Sequence, residues 1–334
     1  MKGSKTILIT GGLGFIGTHL CRALLHLDQA AKITVVDNLS SNKMDFEDLR
    51  GRVRIVVQDL RHYEYSSERF DEIYHLASPV GSLGILNRNG YIALDIIQLT
   101  HKVVEIALAL NSKLLFVSSS EVYGHDGAHI ESDPKIVYDK HGTRMEYALA
   151  KLISEHILYD IANNNGLDFR ICRPFNAIGE DQSPLNGFVV PIFFQNALTG
   201  QPLPVFYGGS QKRSFCHVAD IVSALIVVQN QGRSKEVYNI GNPRDVISIL
   251  SLAQEIVKIC CSQSEILEVD PQVVYGAAYI EAAEKIPNIK KLQKHTGWFP
   301  TIDLASSLTR ILDYYKIHEI GVPGHPKTSP IYVK

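Results

Sequence analysis

Thr6-Ile7-Leu8-Ile9-Thr10-Gly11-Gly12-Leu13-Gly14-Phe15-Ile16-Gly17 is the stretch that decides how this chain reads. A short apolar run enters a turn with glycines at 11, 14 and 17, and a helical pattern follows. Glycines so placed permit a tight turn, let the backbone approach a pyrophosphate, and let helix and strand pack closely. The free N–H groups at the helix start then hold phosphate. A glycine-rich turn alone is common. Here a strand precedes it, a helix follows, and a second apolar run arrives on schedule at 33–36. Asp37 closes that second run, 20 residues after Gly17. A carboxylate there accepts hydrogen bonds from ribose hydroxyls and repels a 2′-phosphate, which favours NAD over NADP.

Working outward, strand-like runs recur at 6–10, 33–36, 53–57, 72–76, 114–118 and 168–172. Most are continuous rather than alternating in polarity, as for strands buried on both faces. Helical patterns lie between them at 14–27, 92–110 and 146–163. The alternation predicts an α/β fold with a doubly wound parallel sheet, a Rossmann domain. Beyond Arg173 glycine and proline become frequent, and helical patterns continue at 189–198, 218–230, 249–260 and 304–315. Residues 1–175 therefore read as a dinucleotide-binding domain. Residues 176–320 read as a smaller α/β substrate domain, with segments such as 212–230 interleaved with the first. Residues 321–334 read as a surface tail.

Composition narrows the function classes. Among 334 residues, 45% are hydrophobic and 20% charged, as in ordinary globular proteins. Thirty-three basic against 35 acidic side chains give no global pull toward nucleic acid or a membrane surface. No apolar run reaches the roughly 18 residues of a membrane span, and no signal-peptide core follows Met1. Five cysteines without a CxxC pair read as reduced thiols, which points to the cytoplasm. The small basic cluster Arg50-Gly51-Arg52-Val53-Arg54 reads as a solvated loop. His125 and His129 flank an Asp/Gly loop without a recognised zinc spacing, so no metal is expected.

Tyr147 and Lys151 stand at i and i+4 of a helical pattern and share one face. A lysine ammonium near a phenol stabilises the phenolate, which makes Tyr147 a candidate general base. The pair follows the serine cluster Ser118-Ser119-Ser120-Glu121, which closes a strand at the end where doubly wound sheets place ligands.

With these residues in view, the chain resembles extended short-chain dehydrogenases/reductases of the nucleotide-sugar epimerase/dehydratase family, over about residues 5–315. The resemblance is carried by 10–17, Val36-Asp37-Asn38, Gln58-Asp59-Leu60, His75-Leu76-Ala77-Ser78, Ser118 to Gly124 and the Tyr147/Lys151 pair. Arg173-Pro174-Phe175-Asn176, Pro202 to Phe206, Arg213 to Asp220, Tyr238 to Asn242 and Gly297-Trp298-Phe299-Pro300 extend it. It implies NAD held by Gly11, Gly14, Phe15, Ile16, Gly17, Asp37 and Asn38. Asp59 and Leu60 would border the adenine, and Leu76, Ala77, Ser78, Tyr147, Lys151 and Pro174 the rest of the cofactor. Ser119 would share the sugar hydroxyl that Tyr147 deprotonates. Asn176 and Arg213 would hold the nucleotide diphosphate, and Phe206 would lie by the base. The implied chemistry is hydride transfer from sugar C4 to NAD and its later return. A homodimer, paired through the 92–110 and 146–163 helices, is implied as well.

Glu121 separates the possible reactions. Beside a 4-ketosugar it would serve a dehydratase or a decarboxylase. Three departures oppose those readings: Ser120 replaces the aspartate common in dehydratases, and Glu180-Asp181 and Phe188 replace two arginines of the decarboxylases. Glu180 and Asp181 are expected to repel a substrate carboxylate. A 4-epimerase acting on a UDP-sugar needs only Tyr147, Lys151 and Ser119 and is the favoured reading. Dehydratase and UDP-glucuronate decarboxylase are the alternatives, and a net reductase stays open behind them. A non-catalytic NAD-sensing protein is the alternative from another class. It would have no need of the Tyr/Lys pair or Arg213.

Overall fold

The protein is described by a computed structural model over residues 4–40, 46–81, 85, 90–137, 143–275, 282–318 and 320. The tail at 321–334 lies outside the described residues. The strands are β1 (Thr6–Thr10), β2 (Lys32–Asp37), β3 (Arg54–Val57), β4 (Glu72–His75), β5 (Lys113–Val117), β6 (Gly127–His129), β7 (Phe169–Pro174), β8 (Ala177–Ile178), β9 (Leu203–Phe206), β10 (Lys212–Ser214), β11 (Cys216–His217), β12 (Glu236–Ile240), β13 (Val246–Ser248), β14 (Ile266–Val269) and β15 (Glu284–Pro287). The helices used below are α1 (Phe15–Leu27), α2 (Ile92–Leu110), α3 (Thr143–Asn165), α4 (Val189–Thr199) and α5 (Val218–Gln231).

Seven strands form one parallel sheet in the order β12-β7-β5-β4-β1-β2-β3. This is the α/β Rossmann fold expected from the alternating pattern. Apolar side chains on both faces are buried, Ile7, Leu8 and Ile9 on β1 and Leu114, Leu115 and Phe116 on β5 among them. Burying each such side chain is worth about 1.5–3 kcal/mol, which holds these strands between helical layers. The chain reverses direction of growth between β1 and β4, so a crevice opens at the carboxyl ends of the strands there. Because the strands are parallel, the residues that follow β1, β2, β4, β5 and β7 all emerge at one edge. β12, from the second half of the chain, joins the sheet beside β7.

Each element expected from the sequence is observed within a few residues of its bounds, nine further strands among the described residues (β6 and β8 to β15) were not expected, and two differences matter for the site. α3 begins at Thr143 rather than 146, which places Arg144 one helical turn before Tyr147. β15 was not anticipated from its short mixed-polarity run. It lies in a second sheet, β13-β10-β15-β6, where Arg213 and Lys285 are register partners. A separate core of Phe193, Phe194, Leu252, Ile256, Ile311 and Leu312 packs around α4 and the C-terminal helices. Among the described residues no helix is long and apolar enough to cross a membrane.

Candidate active site

The glycine turn is built by close approach. Gly11 has φ +69°, and a Cβ there would stand 2.7 Å from Ala77 N. A Cβ on Gly17 would stand 2.5 Å from Gly11 O. Neither position tolerates a side chain without backbone movement. α1 starts at Phe15 with no side-chain cap on its exposed N–H groups. Asp37 braces the turn: its Oδ2 accepts from Leu13 N at 3.0 Å and its Oδ1 from Leu39 N at 2.8 Å. Burial raises the Asp37 carboxyl above its ordinary value, and these two N–H donors oppose the rise. Asp59 is gripped by Arg61, whose guanidinium also reaches Asp95 at 3.0 Å. That hydrogen bond to Arg61 is the main reason Asp59 titrates below its ordinary value.

A cavity of about 430 Å³ runs from this turn to the second sheet. Every residue assigned above to cofactor, substrate or catalysis borders it. The cradle fits NAD: glycine backbone for a pyrophosphate, an acidic side chain at the end of β2, and on the wall a buried Ser118 Oγ without a partner among the described residues. NAD supplies hydride acceptance and return when bound there.

Tyr147 and Lys151 are both buried in α3. Ser119 and Ser78 lie beside the Tyr147 phenol. Ser119 also caps the turn carrying Glu121, its Oγ accepting from Glu121 N at 3.2 Å. The expected lowering of the phenol by the lysine is corrected here. Burial pushes Tyr147 up to about 12, Glu121 adds to the rise, and the two serines only moderate it. Lys151 instead donates to Val117 O at 2.9 Å. Burial brings Lys151 down to about 7, with Glu155 pulling the other way.

At the far wall Glu121 forms an ion pair with Lys285 at 2.6 Å. Burial opposes its ionisation, but Lys285, Arg144 and Arg213 outweigh burial and hold the carboxyl at about 2. Arg213 also spends donors on the carbonyls of Lys212 and Ala282, at 2.8 and 2.6 Å. Asn176 donates to Ser214 O at 2.9 Å, and Phe206 stands at the end of β9. Lys285 and Arg144 were missed in the sequence. For Arg144 a signal was present, three residues before Tyr147 on the same helix face. For Lys285 only the strand register reveals it.

Glu180 and Asp181 do not border the cavity, which corrects the expected repulsion. The Glu180 carboxylate faces His217 Nε2 at 3.0 Å, while its backbone carbonyl meets His19 at 3.1 Å. Phe188 does border the cavity. His125, His129 and Asp133 bring ligand-type atoms within 4.8 Å of one another. Burial lowers His129 to about 4, and His125, Lys285 and Lys135 add to the lowering while Asp133 opposes it.

The profile of the NAD dependent epimerase/dehydratase family matches residues 7–241. The chain is 31% identical over 348 residues to UDP-glucuronic acid decarboxylase 1 of Xenopus tropicalis, covering 100% of this chain and 78% of that one. It is 30% identical over 319 residues to UDP-N-acetyl-alpha-D-glucosaminuronate decarboxylase of Bacillus cytotoxicus, covering 93% and 98%. A UDP-glucuronic acid 4-epimerase from Bacillus cereus, solved with UDP-glucuronic acid and NAD, shares the fold with a TM-score of 0.82. It is 24% identical, over 94% of this chain and 99% of that one. The glycine cradle, the Tyr147/Lys151 helix and this relatedness lead to one assignment: the chain belongs to the NAD-dependent epimerase/dehydratase family of nucleotide-sugar enzymes.

Proposed function

We propose that this enzyme decarboxylates a UDP-linked hexuronate, UDP-glucuronate, through a 4-keto intermediate. The observation that carries the reading is the cation group on the cavity wall. Lys285 is ion-paired with Glu121, and Arg144 and Arg213 act on the same carboxylate, so three cationic side chains gather on this wall. A guanidinium or ammonium recognises a carboxylate strongly, and a neutral sugar has less use for such a group. The two curated relatives described above are named for uronate decarboxylation, which supports the same choice and the UDP moiety.

The steps follow from the residues. Tyr147 removes the proton of the sugar C4 hydroxyl, with Ser119 sharing that hydroxyl, as hydride leaves C4 for NAD. Tyr147 stands near 12 before ligands enter, so its ionisation depends on charges that arrive with them. Lys151 holds the nicotinamide ribose hydroxyls through its N–H donors. The resulting ketone lies β to the uronate carboxylate. The C5–C6 bond then breaks, carbon dioxide leaves, and the electron pair moves into the C4 carbonyl as an enolate. Lys285 and Arg144 orient the carboxylate and stabilise that enolate. A proton returns to C5 and hydride to C4, so NAD is recycled. Asn176 and Arg213 hold the diphosphate, and Phe206 packs by the uracil.

A second reading, the UDP-sugar 4-epimerase, is favoured by Phe188, an apolar side chain on the wall where a decarboxylase would carry an arginine. One experiment separates them: incubation with UDP-glucuronate and NAD in D₂O, followed by mass spectrometry. Loss of carbon dioxide with one carbon-bound deuterium is expected. An isomer of unchanged formula without carbon-bound deuterium would replace the decarboxylase by the epimerase. The two-domain division at 175/176, and a homodimer through α2 and α3, belong to the same reading. Sedimentation as a monomer at micromolar concentration would remove the dimer.

A further inference from the structure

His125, His129 and Asp133 come together where the chain leaves the turn of Glu121, and none of them borders the reaction cavity. The fold fixes their places. His129 closes β6 and pairs in register with Pro287 of β15. A turn then brings Asp133 back: its N–H donates to Ile130 O at 3.1 Å, and its Oδ2 accepts from Ile130 N at 2.8 Å. His125 stands on the loop just before β6.

The two rings are held with lone pairs available. The His129 side chain is 0% exposed and lies flat on Tyr123, with ring centres 4.4 Å apart and planes 5° from parallel. His125 meets it edge-on, its ring centre at 4.6 Å. His125 Nδ1 donates to Asp126 O at 2.9 Å, so the neutral ring carries its lone pair on Nε2. A histidine that binds a metal characteristically spends its other ring N–H on such an acceptor.

His129 supplies the independent observation. Neither of its ring nitrogens has a hydrogen-bond partner among the described residues. A buried polar atom of this kind calls for an ion or a water. Its Nδ1 faces Asp133 Oδ2 across 3.9 Å, too far for a hydrogen bond. Two bonds from one zinc ion, about 2.0–2.1 Å to nitrogen and about 2.0–2.2 Å to oxygen, span that gap. His125 and Asp133 are only partly buried, which leaves a way in from solvent.

Two lysines lie close and bear on the choice of ion. Lys135 donates to the carbonyls of Glu131 and Asp133, and its Nζ stands 4.6 Å from the centre of the Tyr123 ring. Lys285 is paired with Glu121. Their charges disfavour a hard cation held by charge alone. Two imidazoles and one carboxylate select an ion of the zinc class over magnesium or calcium.

We propose that His125 Nε2, His129 Nδ1 and the Asp133 carboxylate form a binding site for a zinc-class divalent metal, which braces the segment between the Glu121 turn and β6. The site lies off the cavity, so the inference stands whichever sugar is turned over.

The test titrates the full chain, stripped with EDTA and desalted, with zinc chloride against a chromogenic chelator. One tight equivalent per chain is expected. His125→Gln and Asp133→Asn change partly exposed side chains, and asparagine keeps an oxygen for Ile130 N. Each should weaken that equivalent by about tenfold or more, at least the scale seen when a metal's surroundings are altered. His26→Gln, at an exposed histidine elsewhere, should leave it unchanged. Zinc should raise the thermal midpoint of wild type and not of the two cluster variants. In zinc-soaked crystals, anomalous scattering should place the ion among the three side chains. Absence of a tight equivalent overturns the proposal. So does an equivalent that both folded cluster variants retain, or a water in place of the ion in the crystals. Failure to turn over any uronate would remove the proposed function and leave this site as it is.

Discussion

Two ionisable places face the same cavity and are balanced in opposite ways. At Tyr147 and Lys151 burial dominates and drives both groups toward neutrality, the phenol up to about 12 and the amine down to about 7. At Glu121 charge dominates, and three cations keep the carboxyl ionised at about 2 despite burial. The first arrangement suits groups that must exchange protons, because small changes in charge nearby alter their state. The second suits recognition, because its charges are fixed over the whole working pH range. On the proposed reading, the difference puts chemistry at one end of the cavity and substrate selection at the other.

The largest expected effect comes from the proton-exchanging end. Tyr147→Phe removes the hydroxyl and leaves the ring in its apolar surroundings of Ile85, Ile92, Ile96 and Ala150. Turnover of any nucleotide sugar should fall by about 10²–10⁴-fold, the usual contribution of a positioned acid or base. NAD affinity, read by fluorescence titration, should change little. A loss below threefold would take the proton transfer away from Tyr147.

The recognition end should respond in KM rather than kcat. Lys285→Met keeps an unbranched stem and removes the ammonium from Glu121. The KM for UDP-glucuronate should rise by about tenfold or more, since a charge-assisted contact is worth about 1.5–3 kcal/mol. The KM for a neutral UDP-hexose should not rise. Stability should fall by about 1–2 kcal/mol at pH 7. That is less than the roughly 3–5 kcal/mol of a pair left wholly uncompensated, because Arg144 and Arg213 remain. The pH dependence follows from the direction of the shift. Glu121 is held below its ordinary 4.5, so its contribution is full above pH 4.5 and is lost as pH falls toward 2. Urea unfolding across that window should show wild type and variant converging. A constant gap would mean that Lys285 acts through packing.

The two ends were also unequally legible in the sequence. The glycine turn, Asp37 and Tyr147/Lys151 are local: their partners lie in one turn, one βαβ unit or one helical turn, and residue spacing carries their geometry. The cation group draws on 121, 144, 213 and 285. Arg213 and Lys285 meet because β10 and β15 pair in register, a long-range fact that no window of sequence contains. The same limit explains Glu180. Next to Asp181 in sequence it reads as a negative patch near the substrate, whereas the fold turns it onto His217. Tyr147 shows a third kind of limit: the i, i+4 spacing reveals a shared face but not that Lys151 reaches for Val117 O instead.

Asp37 belongs to the local group and offers a smaller, sharper test. Asp37→Ala removes the acceptor of two backbone N–H groups and the negative charge at the end of β2. NAD affinity should fall by about tenfold, the scale of one lost charged hydrogen bond. The ratio of NADP to NAD affinity should rise, because a 2′-phosphate no longer meets a carboxylate. Calorimetric titration with both dinucleotides reads this directly. An unchanged ratio would confine Asp37 to bracing the glycine turn.

Glu180→Gln carries the smallest expected effect and bears most directly on the comparison. His217 Nδ1 accepts from Ala219 N at 3.1 Å, so the ring proton sits on Nε2, facing the Glu180 carboxylate. Burial opposes ionisation of Glu180, yet the His217 ring beside it holds the carboxyl at about 2. A glutamine can still accept that proton through its amide oxygen, so the change should cost no more than about 1 kcal/mol at pH 7. That cost should fade as pH falls from the ordinary 4.5 toward 2. Because Glu180 lies off the cavity wall, KM for UDP-glucuronate should stay within about twofold of wild type. If removal of this one negative charge instead lowered that KM tenfold, Glu180 would be opposing the substrate carboxylate after all. The cavity's recognition end would then include the loop at 179–181, and not only Lys285, Arg144 and Arg213.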